Sequence, residues 1–406
     1  MGRKYASGAR YDGPMTHPTL LAATDLCVKC GLCLPHCPTY QLNRNEADGP
    51  RGRIALAQGL ASGQLQASSR VQVHLDGCLS CRACEAVCPA KVPYGFIADS
   101  ARAQLATPAR TLRTRLMGAV LDRPWLRALI RWSLWLLPAA RIKTGAGNRL
   151  SRLLSYRPRI ARLSAVAAPR QAEIALFTGC VGDVVERGVL RDAQRLFAAA
   201  GVEVAIPPDQ GCCGALHQHG GLPEQAQQRA VRNARAFAGC AQVLPLASGC
   251  GAALRDLGGA ATDGAPPLAG RVDDLCTVLA QRLDARPPAL QPLPLRVAIH
   301  TACTQANVFG AKGAVRRLLE RIPQIELIEL APESGCCGAA GLGFLSQPEQ
   351  ADRLREPKLD AAAAQAPQVI VSANIGCALH LAAGLHQRGL AVELLHPVSL
   401  LARALA

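Results

Sequence analysis

The chain has 406 residues, of which 50% are hydrophobic and 18% are charged, and its formal net charge is +16. This length is sufficient for two or three domains with buried cores, and the apolar content excludes a largely disordered chain. A secreted disulfide scaffold is not expected, because such scaffolds are short, Met1 to Tyr11 shows no apolar signal-peptide core, and the cysteines come in tight runs rather than spread pairs. We therefore expect a reducing compartment in which the 18 cysteines serve mainly to bind metal.

The first residues are predicted to precede the folded part of the chain. Residues 1–22 are expected to form an N-terminal tail, and Met15 is a candidate natural start. Polar and glycine-rich termini of this kind offer few side chains to a core, so we expect the first fourteen residues to be untied.

Two cysteine runs share the spacing of bacterial ferredoxins. Each has cysteines at i, i+3 and i+6, followed by a Cys-Pro: Cys27, Cys30, Cys33 and Cys37-Pro38 in one, and Cys78, Cys81, Cys84 and Cys88-Pro89 in the other. Three thiolates of such a run bind one [4Fe–4S] cluster, and the fourth binds the other cluster. This crossing predicts one cluster on Cys27, Cys30, Cys33 and Cys88, and a second on Cys78, Cys81, Cys84 and Cys37.

Zinc is the alternative occupant of these runs, since Cys-x-x-Cys pairs also bind zinc. Zinc sites use two separated pairs and do not need a third evenly spaced cysteine or the repeated Cys-Pro, so the runs favour two clusters and an electron-transfer protein. Between the runs, Glu46 to Leu60 is predicted to be helical. Arg51 and Arg53 there either tune the potential of a cluster or lie in a solvated helix start.

A basic connector follows. Residues 108–164 hold thirteen arginines or lysines and one acid, Asp122, together with all three tryptophans, Trp125, Trp132 and Trp135. The longest charge-free apolar stretch, Trp132 to Ala140, is nine residues long, whereas a spanning helix needs about 20. We expect an amphipathic helix at a membrane surface or against a partner subunit. No nucleic-acid recognition module accompanies the charge, so no nucleic-acid partner is expected.

The second half of the chain repeats itself. Four cysteine positions recur at offsets of 123 to 127 residues. The matching strings are Ile174-Ala-Leu-Phe-Thr-Gly-Cys180 with Val297-Ala-Ile-His-Thr-Ala-Cys303, Gly211-Cys-Cys-Gly214 with Gly335-Cys-Cys-Gly338, and Ala247-Ser-Gly-Cys250 with Asn374-Ile-Gly-Cys377. Such repetition indicates two copies of one domain.

Each copy alternates short apolar runs with helical patterns. In the second copy the predicted strands are Arg296–Thr301, Ile325–Leu330 and Val369–Ala373, and the predicted helices are Gly313–Arg321 and Glu349–Gln365. Strands separated by helices indicate a parallel α/β layer. The repeated cysteines follow predicted strands, where α/β folds gather their ligands.

The repeated cysteines are therefore candidate metal ligands: Cys180, Cys212, Cys213 and Cys250 in the first copy, and Cys303, Cys336, Cys337 and Cys377 in the second. Flanking glycines permit the turned backbone that a joint pocket requires. The alternative is a set of buried or redox-active thiols without metal. Cys240 and Cys276 lack a repeat partner and are expected in the core. The loop with His217 and His219 is a candidate source of one more ligand, although solvated or packed histidines are the favoured expectation. His380 is a candidate for the pocket wall.

Together these motifs resemble the iron–sulfur subunits built on the cysteine-rich CCG domain. That group includes heterodisulfide reductase subunits, anaerobic glycerol-3-phosphate dehydrogenase iron–sulfur subunits and glycolate oxidase iron–sulfur subunits, of which the last are the most similar. The resemblance covers roughly residues 15–406. It is carried by Cys37-Pro-Thr-Tyr-Gln-Leu42, Asp48-Gly-Pro-Arg-Gly-Arg-Ile54, Ala247-Ser-Gly-Cys250 and Ala373-Asn-Ile-Gly-Cys377.

The resemblance implies an α/β chain with a mainly helical two-[4Fe–4S] ferredoxin-like domain at 23–108. A basic connector at 109–170 and CCG copies at 171–290 and 291–406 would follow. It implies a subunit on the cytoplasmic face of the inner membrane that passes electrons from flavin-binding subunits, which oxidise glycolate to glyoxylate, towards membrane quinone. FAD would belong to those partners only, since this chain has no dinucleotide fingerprint and no convincing general base. No catalytic residue is therefore expected.

Other functions remain open. The chain is alternatively the iron–sulfur subunit of a lactate or glycerol-3-phosphate dehydrogenase, or a thiol/disulfide reductase acting at the CCG pockets. Those pockets hold an additional iron–sulfur cluster, zinc or nothing. In heterodisulfide reductase subunits the CCG domain closes with Cys-x-x-Cys, whereas Ala247 and Asn374 replace the first cysteine here. A five-cysteine site with disulfide reduction is therefore not expected.

Overall fold

The computed structural model describes residues 19–136, 155–156, 172–259, 266–341 and 343–406. A helical N-terminal region is followed by two α/β copies, which confirms the predicted fold class. Residues 1–18 of the predicted tail lie outside the described residues, and so does most of the second half of the connector.

Short helices carry the two cysteine runs. They are α1 (Leu20–Asp25), α2 (Pro38–Asn43), α3 (Pro50–Ala61), α4 (Ser69–Asp76), α5 (Ala83–Ala86) and α6 (Tyr94–Gln104). Proline begins α2 and α3, where the missing N–H group would have had no helical partner. Apolar side chains of α1, α3 and α6, including Ala23, Ile54 and Ile97, form the core of this region.

The connector begins with two helices, α7 (Pro108–Asp122) and α8 (Pro124–Leu136). Arg127 Nε lies 2.8 Å from a carboxylate oxygen of Asp183, and Arg131 donates to the backbone oxygen of Asp183 at 3.1 Å. These two arginines of the basic connector therefore bind the first α/β copy of the same chain. Among the described residues, no helix is both long enough and apolar enough to cross a bilayer.

The first copy contains three strands among the described residues and the helices between them. Its strands are β1 (Ala172–Phe177), β2 (Val204–Ala205) and β3 (Cys240–Pro245). Its helices are α9 (Cys180–Val185), α10 (Arg187–Ala199), α11 (Ala215–His219), α12 (Pro223–Ala236), α13 (Ser248–Leu257) and α14 (Leu275–Ala285). The strand order is β2-β1-β3, and both pairings are parallel.

The second copy repeats this arrangement with one more strand. Its strands are β4 (Arg296–His300), β5 (Glu326–Glu329), β6 (Val369–Ser372) and β7 (Glu393–Leu395). Its helices are α15 (Cys303–Asn307), α16 (Ala314–Leu319), α17 (Gly343–Ser346), α18 (Pro348–Gln365), α19 (Ile375–Gln387) and α20 (Pro397–Arg403). The order is β5-β4-β6-β7, parallel throughout, so the strands and helices predicted for this copy are confirmed.

The two copies share one hydrophobic core. Buried residues from α10 and α14 of the first copy and from β4, α16 and α20 of the second, such as Leu196, Leu279, Ile299 and Leu318, belong to one cluster. A polar seam also joins the copies, because the N–H group of Ser248 donates to the backbone oxygen of Ala373 at 3.1 Å. The cysteine-bearing starts of α13 and α19 therefore lie close together.

Candidate metal centres

The first candidate centre combines both ferredoxin runs. Cys27, Cys30 and Cys33 of the first run and Cys88 of the second line one small cavity beside Arg51, and Cys84 of the other predicted set also borders it. Burial raises the pKa of Cys33, and the nearby thiols of Cys27, Cys30 and Cys88 raise it further. Because Cys30 is exposed, this set lies at the protein surface.

The second candidate centre is the complementary set. Burial raises the pKa of Cys84, and the neighbouring thiols of Cys78, Cys81 and Cys37 raise it further. Cys37 and Cys84 are buried, so this set lies deeper than the first. The structure thus gathers each four-cysteine set from both runs, and four thiolate donors are the ligands that a [4Fe–4S] cluster takes.

Both runs turn through the same backbone conformation. The residues between the first two cysteines and just after the second are left-handed in each run: Lys29 (φ 56°) and Gly31 (81°), and Ser80 (51°) and Arg82 (59°). Such turns aim N–H groups at sulfur, and the Ser80 N–H group lies 3.4 Å from Cys78 Sγ. The left-handed backbone of Arg82 costs about 1–3 kcal/mol. Ion pairs with Glu85, at 2.9 Å, and with Asp256 of the first copy hold it in place.

Two buried arginines border the second set. Arg53 is 2% exposed and donates to the backbone oxygen of His74 at 2.6 Å, so the solvated alternative is wrong for this residue. Arg102 donates to the backbone oxygen of Cys78 at 2.6 Å. Burial by itself raises the pKa of Cys78, but the charges of Arg53 and Arg102 bring it below its ordinary value. Arg51, in contrast, binds Glu46 at the surface at 2.7 Å.

The four repeated cysteines of the first copy converge beyond the ends of its strands. Cys180 Sγ lies 3.6 Å from Cys212 Sγ. Hydrogen bonds from Cys180 and then Cys213 lower the pKa of Cys212 well below its ordinary value, and Cys213 also contacts Cys250. The buried ring of His217 lies beside Cys212. The solvated alternative is therefore wrong for His217, which is packed beside a thiol.

The second copy repeats this chain of sulfur contacts. Cys303 contacts Cys336, Cys336 contacts Cys337, and Cys337 contacts Cys377. A left-handed glycine follows the cysteine pair in both copies, Gly214 at φ 92° and Gly338 at 85°. A Cβ at Gly338 would lie 2.5 Å from the backbone oxygen of Ala351, so this turn requires glycine.

A histidine joins the second pocket, and the sequence reasoning missed it. A ring nitrogen of His300 and the Sγ atoms of Cys337 and Cys377 all lie within 4.8 Å of one another. Burial lowers the pKa of His300 well below its ordinary value, which favours the neutral ring. The internal repeat could have drawn attention to His300, because the alignment of the two copies places it at the position equivalent to Phe177.

The residues that replace the first cysteine of a closing Cys-x-x-Cys provide no thiol. Asn374 donates from Nδ2 to Cys377 Sγ at 3.3 Å and accepts from the Gly249 N–H group at 3.2 Å, while Ala247 is buried among apolar residues. His380, a candidate for the pocket wall, is instead held between the backbone oxygen of Ala351, 3.1 Å from its Nε2, and Arg355.

A cavity of about 980 Å³ lies beside both the second ferredoxin set and the second CCG pocket. Its lining includes Cys37 and Cys81 of the former and Cys303 and Cys336 of the latter. Burial raises the pKa of Cys81, and the nearby thiol of Cys303 raises it further. Asn307 Nδ2 donates to the backbone oxygen of Cys81 at 2.8 Å, and this hydrogen bond holds the second copy against the second ferredoxin run.

Two family models match the chain. The "4Fe-4S dicluster domain" matches residues 23–92, and the "Cysteine-rich domain" (CCG) matches residues 174–255 and 297–382. The matched ranges contain both ferredoxin runs and all eight repeated cysteines.

Two similar proteins match nearly the whole chain, and a third matches about half of it. The glycolate oxidase iron-sulfur subunit of Escherichia coli (strain K12) is 32% identical over 378 residues, which are 88% of this chain and 89% of that protein. A probable glycolate oxidase iron-sulfur subunit of Bacillus subtilis (strain 168) is 30% identical over 417 residues, 93% of each chain. Lactate utilization protein A of Shouchella clausii (strain KSM-K16) is 24% identical over 229 residues, 55% of this chain and 95% of that protein.

Proposed function

The chain belongs to the family of glycolate oxidase iron–sulfur subunits, and from that membership we propose that it is the electron-transfer subunit of a glycolate-oxidising complex. Bound [4Fe–4S] clusters supply one-electron redox chemistry. Flavin-binding subunits would oxidise glycolate to glyoxylate, and membrane quinone would receive the electrons. This chain would bind the clusters and hold them between donor and acceptor on the cytoplasmic face of the inner membrane.

One observation carries the proposal: each four-cysteine set is drawn from both runs, with one set at the surface and the other buried against the second CCG copy. Crossed ligation keeps two clusters close together, as stepwise reoxidation of a two-electron flavin requires. A surface set and a buried set give the path an entrance and an interior.

We assign the entrance to the face around Cys30. Val28 and Leu32 flank this exposed cysteine, and Val28 is 70% exposed. Exposed apolar side chains beside a redox centre favour a docked protein, because docking removes them from water. The flavin-binding subunit is the partner that has to come within electron-transfer reach of this set.

The cavity beside Cys37 and Cys81 is the proposed exit. Its volume of about 980 Å³ is at the upper end of small-molecule sites. Cys37 and Cys81 of the second set line it, together with Cys303 and Cys336 of the second CCG pocket. A small electron acceptor in this cavity would lie between the second ferredoxin set and the second CCG pocket.

The face of α7 and α8 away from Asp183 supports contact with a membrane surface. Its exposed apolar side chains recur at helical spacing: Leu112, Leu116 and Val120 on α7, and Trp125, Leu129 and Trp132 on α8. Arg113 and Arg115 are exposed on α7, and Arg123 is exposed between the two helices. Tryptophan and leucine beside arginine is the composition of helices that lie in a bilayer interface.

Serine variants of single cysteines test the electron path. Cys30→Ser and Cys81→Ser should each lower the content from about eight irons to about four and abolish quinone-linked glycolate oxidation by the complex, with the flavin subunits still folded. Cys240→Ser is the matched control, because this buried cysteine belongs to neither set. Unchanged glycolate oxidation in the Cys81→Ser complex would refute the proposal.

Charge substitutions test the two docking faces in the whole complex. Val28→Glu should weaken reduction by the flavin subunit while iron content stays constant, and Trp125→Glu should release the complex from anionic vesicles. Val73→Glu is the control for both, since Val73 is 65% exposed on α4. If Trp125→Glu releases the flavin subunit instead of the vesicles, this face is a subunit contact and the membrane assignment is wrong.

A second candidate is the iron–sulfur subunit of a lactate-oxidising complex, favoured by the similarity to lactate utilization protein A. That similarity covers 55% of this chain, whereas the glycolate oxidase relatives cover 88% and 93%. Purification of the complex from its native host, followed by assay of the copurifying flavoprotein with glycolate and with lactate, separates the two candidates.

A further inference from the structure

The two CCG copies differ at one pair of facing residues. In the first copy, Phe177 at the end of β1 pairs in register with Pro245 at the end of β3. In the second copy, His300 at the end of β4 pairs with Ser372 at the end of β6. The same position in the fold thus carries two apolar residues in one copy and an imidazole with a hydroxyl in the other.

The pairing orients the imidazole. His300 Nδ1 lies 3.1 Å from Ser372 Oγ, and among the described residues His300 Nε2 is a buried nitrogen with no hydrogen-bond partner. A hydroxyl that accepts from Nδ1–H leaves the lone pair of Nε2 free to bind a metal. His300 is 1% exposed, so bulk water cannot reach Nε2 to form a hydrogen bond with it.

We propose that His300, Cys337 and Cys377 form a mononuclear divalent metal site, of the class that zinc occupies, in the second CCG copy only. Zinc takes imidazole nitrogen and thiolate sulfur together. Two thiolates offset the charge of a divalent ion, as a buried site requires. The proposal goes beyond electron transfer by this chain and does not depend on it.

The spacing of the three donors favours one ion over a cluster. Tetrahedral Zn–S bonds of about 2.3 Å place two sulfur ligands about 3.8 Å apart. The His300, Cys337 and Cys377 donors already lie within 4.8 Å of one another, so small rotamer changes bring three of the four ligands of such a site into place. A cubane spreads its ligands over four iron corners and requires a wider set. Asn374 Nδ2, which donates to Cys377 Sγ at 3.3 Å, supplies the outer hydrogen bond that metal-bound thiolates commonly receive.

Metal counting on the full chain tests the site. Anaerobically purified protein should contain about one zinc in addition to its iron, and His300→Phe should lose that zinc while the iron content stays unchanged. Phenylalanine is tolerated at the equivalent position of the first copy, which makes this variant a mild one. Replacement of the zinc with Co²⁺ should give thiolate-to-cobalt charge-transfer bands in the wild type that His300→Phe lacks.

The control is His380→Gln, which removes another buried imidazole from the same copy. Its hydrogen bonds go to Ala351 and Arg355, so zinc content should not change. Ser372→Ala should lower zinc affinity at least tenfold without abolishing binding, because it removes the group that orients His300. Wild-type protein without zinc, or an equal loss of zinc in His300→Phe and His380→Gln, would overturn the proposal. Unchanged glycolate oxidation in the Cys81→Ser complex, with its zinc retained, would count against electron transfer and leave the metal site standing.

Discussion

Arg53 offers a direct test of how the protein sets the potential of the second ferredoxin set. Its side chain is buried, and it donates to Thr39 Oγ1 at 2.9 Å and to the backbone oxygen of His74 at 2.6 Å. Its charge is among the groups that favour the anionic form of Cys78. Arg53→Gln removes that charge while keeping a donor, and it should lower the reduction potential of a cluster bound there.

The size of the effect follows from the charge and its surroundings. A unit positive charge about 8 Å from a cluster, at an effective dielectric constant of about 20, stabilises an added electron by about 2 kcal/mol. For a one-electron couple this corresponds to about 90 mV. Asp48 lies 3.8 Å from Arg53 and offsets part of the field. We therefore expect a decrease of about 40–90 mV.

The assay is a redox titration followed by electron paramagnetic resonance, with iron content checked at about eight per chain. Arg53→Lys keeps the charge and should restore most of the potential. Arg51→Gln is the matched control two residues away, because Arg51 lies at the surface beside the first set, and its effect on the potential of the second set should stay below about 20 mV. Equal small shifts in Arg53→Gln and Arg51→Gln, with both clusters present, would show that burial of the charge does not control the potential.

Two further predictions concern the connector and a buried acid. Arg127→Ala removes the 2.8 Å ion pair with Asp183 and should detach α8, which limited proteolysis of the connector would detect. Asp183→Asn should act on the same contact, so the double variant should cost less than the sum of the single ones; full additivity would contradict this pairing. Burial raises the pKa of Glu186 to about 8, so its stabilising contribution, complete at low pH, is lost as the pH rises from about 4.5 through 8. Glu186→Gln should reduce the decrease in the free energy of unfolding between pH 5 and pH 8 by about 2–3 kcal/mol. Chemical denaturation of both proteins at the two pH values measures this decrease, and equal pH profiles would contradict the prediction.

Local sequence patterns predicted the parts of the fold that depend on neighbouring residues. The strand predicted at Arg296–Thr301 is β4, and the helix predicted at Glu349–Gln365 is α18. Apolar alternation, helical periodicity and the repeat carry this information within a few residues. The spacing of the ferredoxin runs likewise predicts which cysteines share a set, because the loop itself determines the reach of its thiolates.

The sites between distant segments were not predictable in this way. Cys81 and Cys303 line one cavity although 222 residues separate them, and nothing near either cysteine in the sequence indicates the other. The connector was expected to face a membrane or another subunit, yet Arg127 and Arg131 bind Asp183 of the same chain. Charge composition cannot identify a partner, since it contains no information about which acid lies opposite.

The shared core of the two CCG copies has a consequence for how the protein matures. Apolar side chains of both copies interdigitate in one large cluster. The ferredoxin region meets the second copy through a smaller cluster around Leu79, Cys336 and Leu354, and through polar contacts such as Gln350 with the backbone oxygen of Gly77 at 3.0 Å. Either copy alone would expose its half of this large cluster to water, so we expect the two copies to mature and to unfold as one cooperative unit.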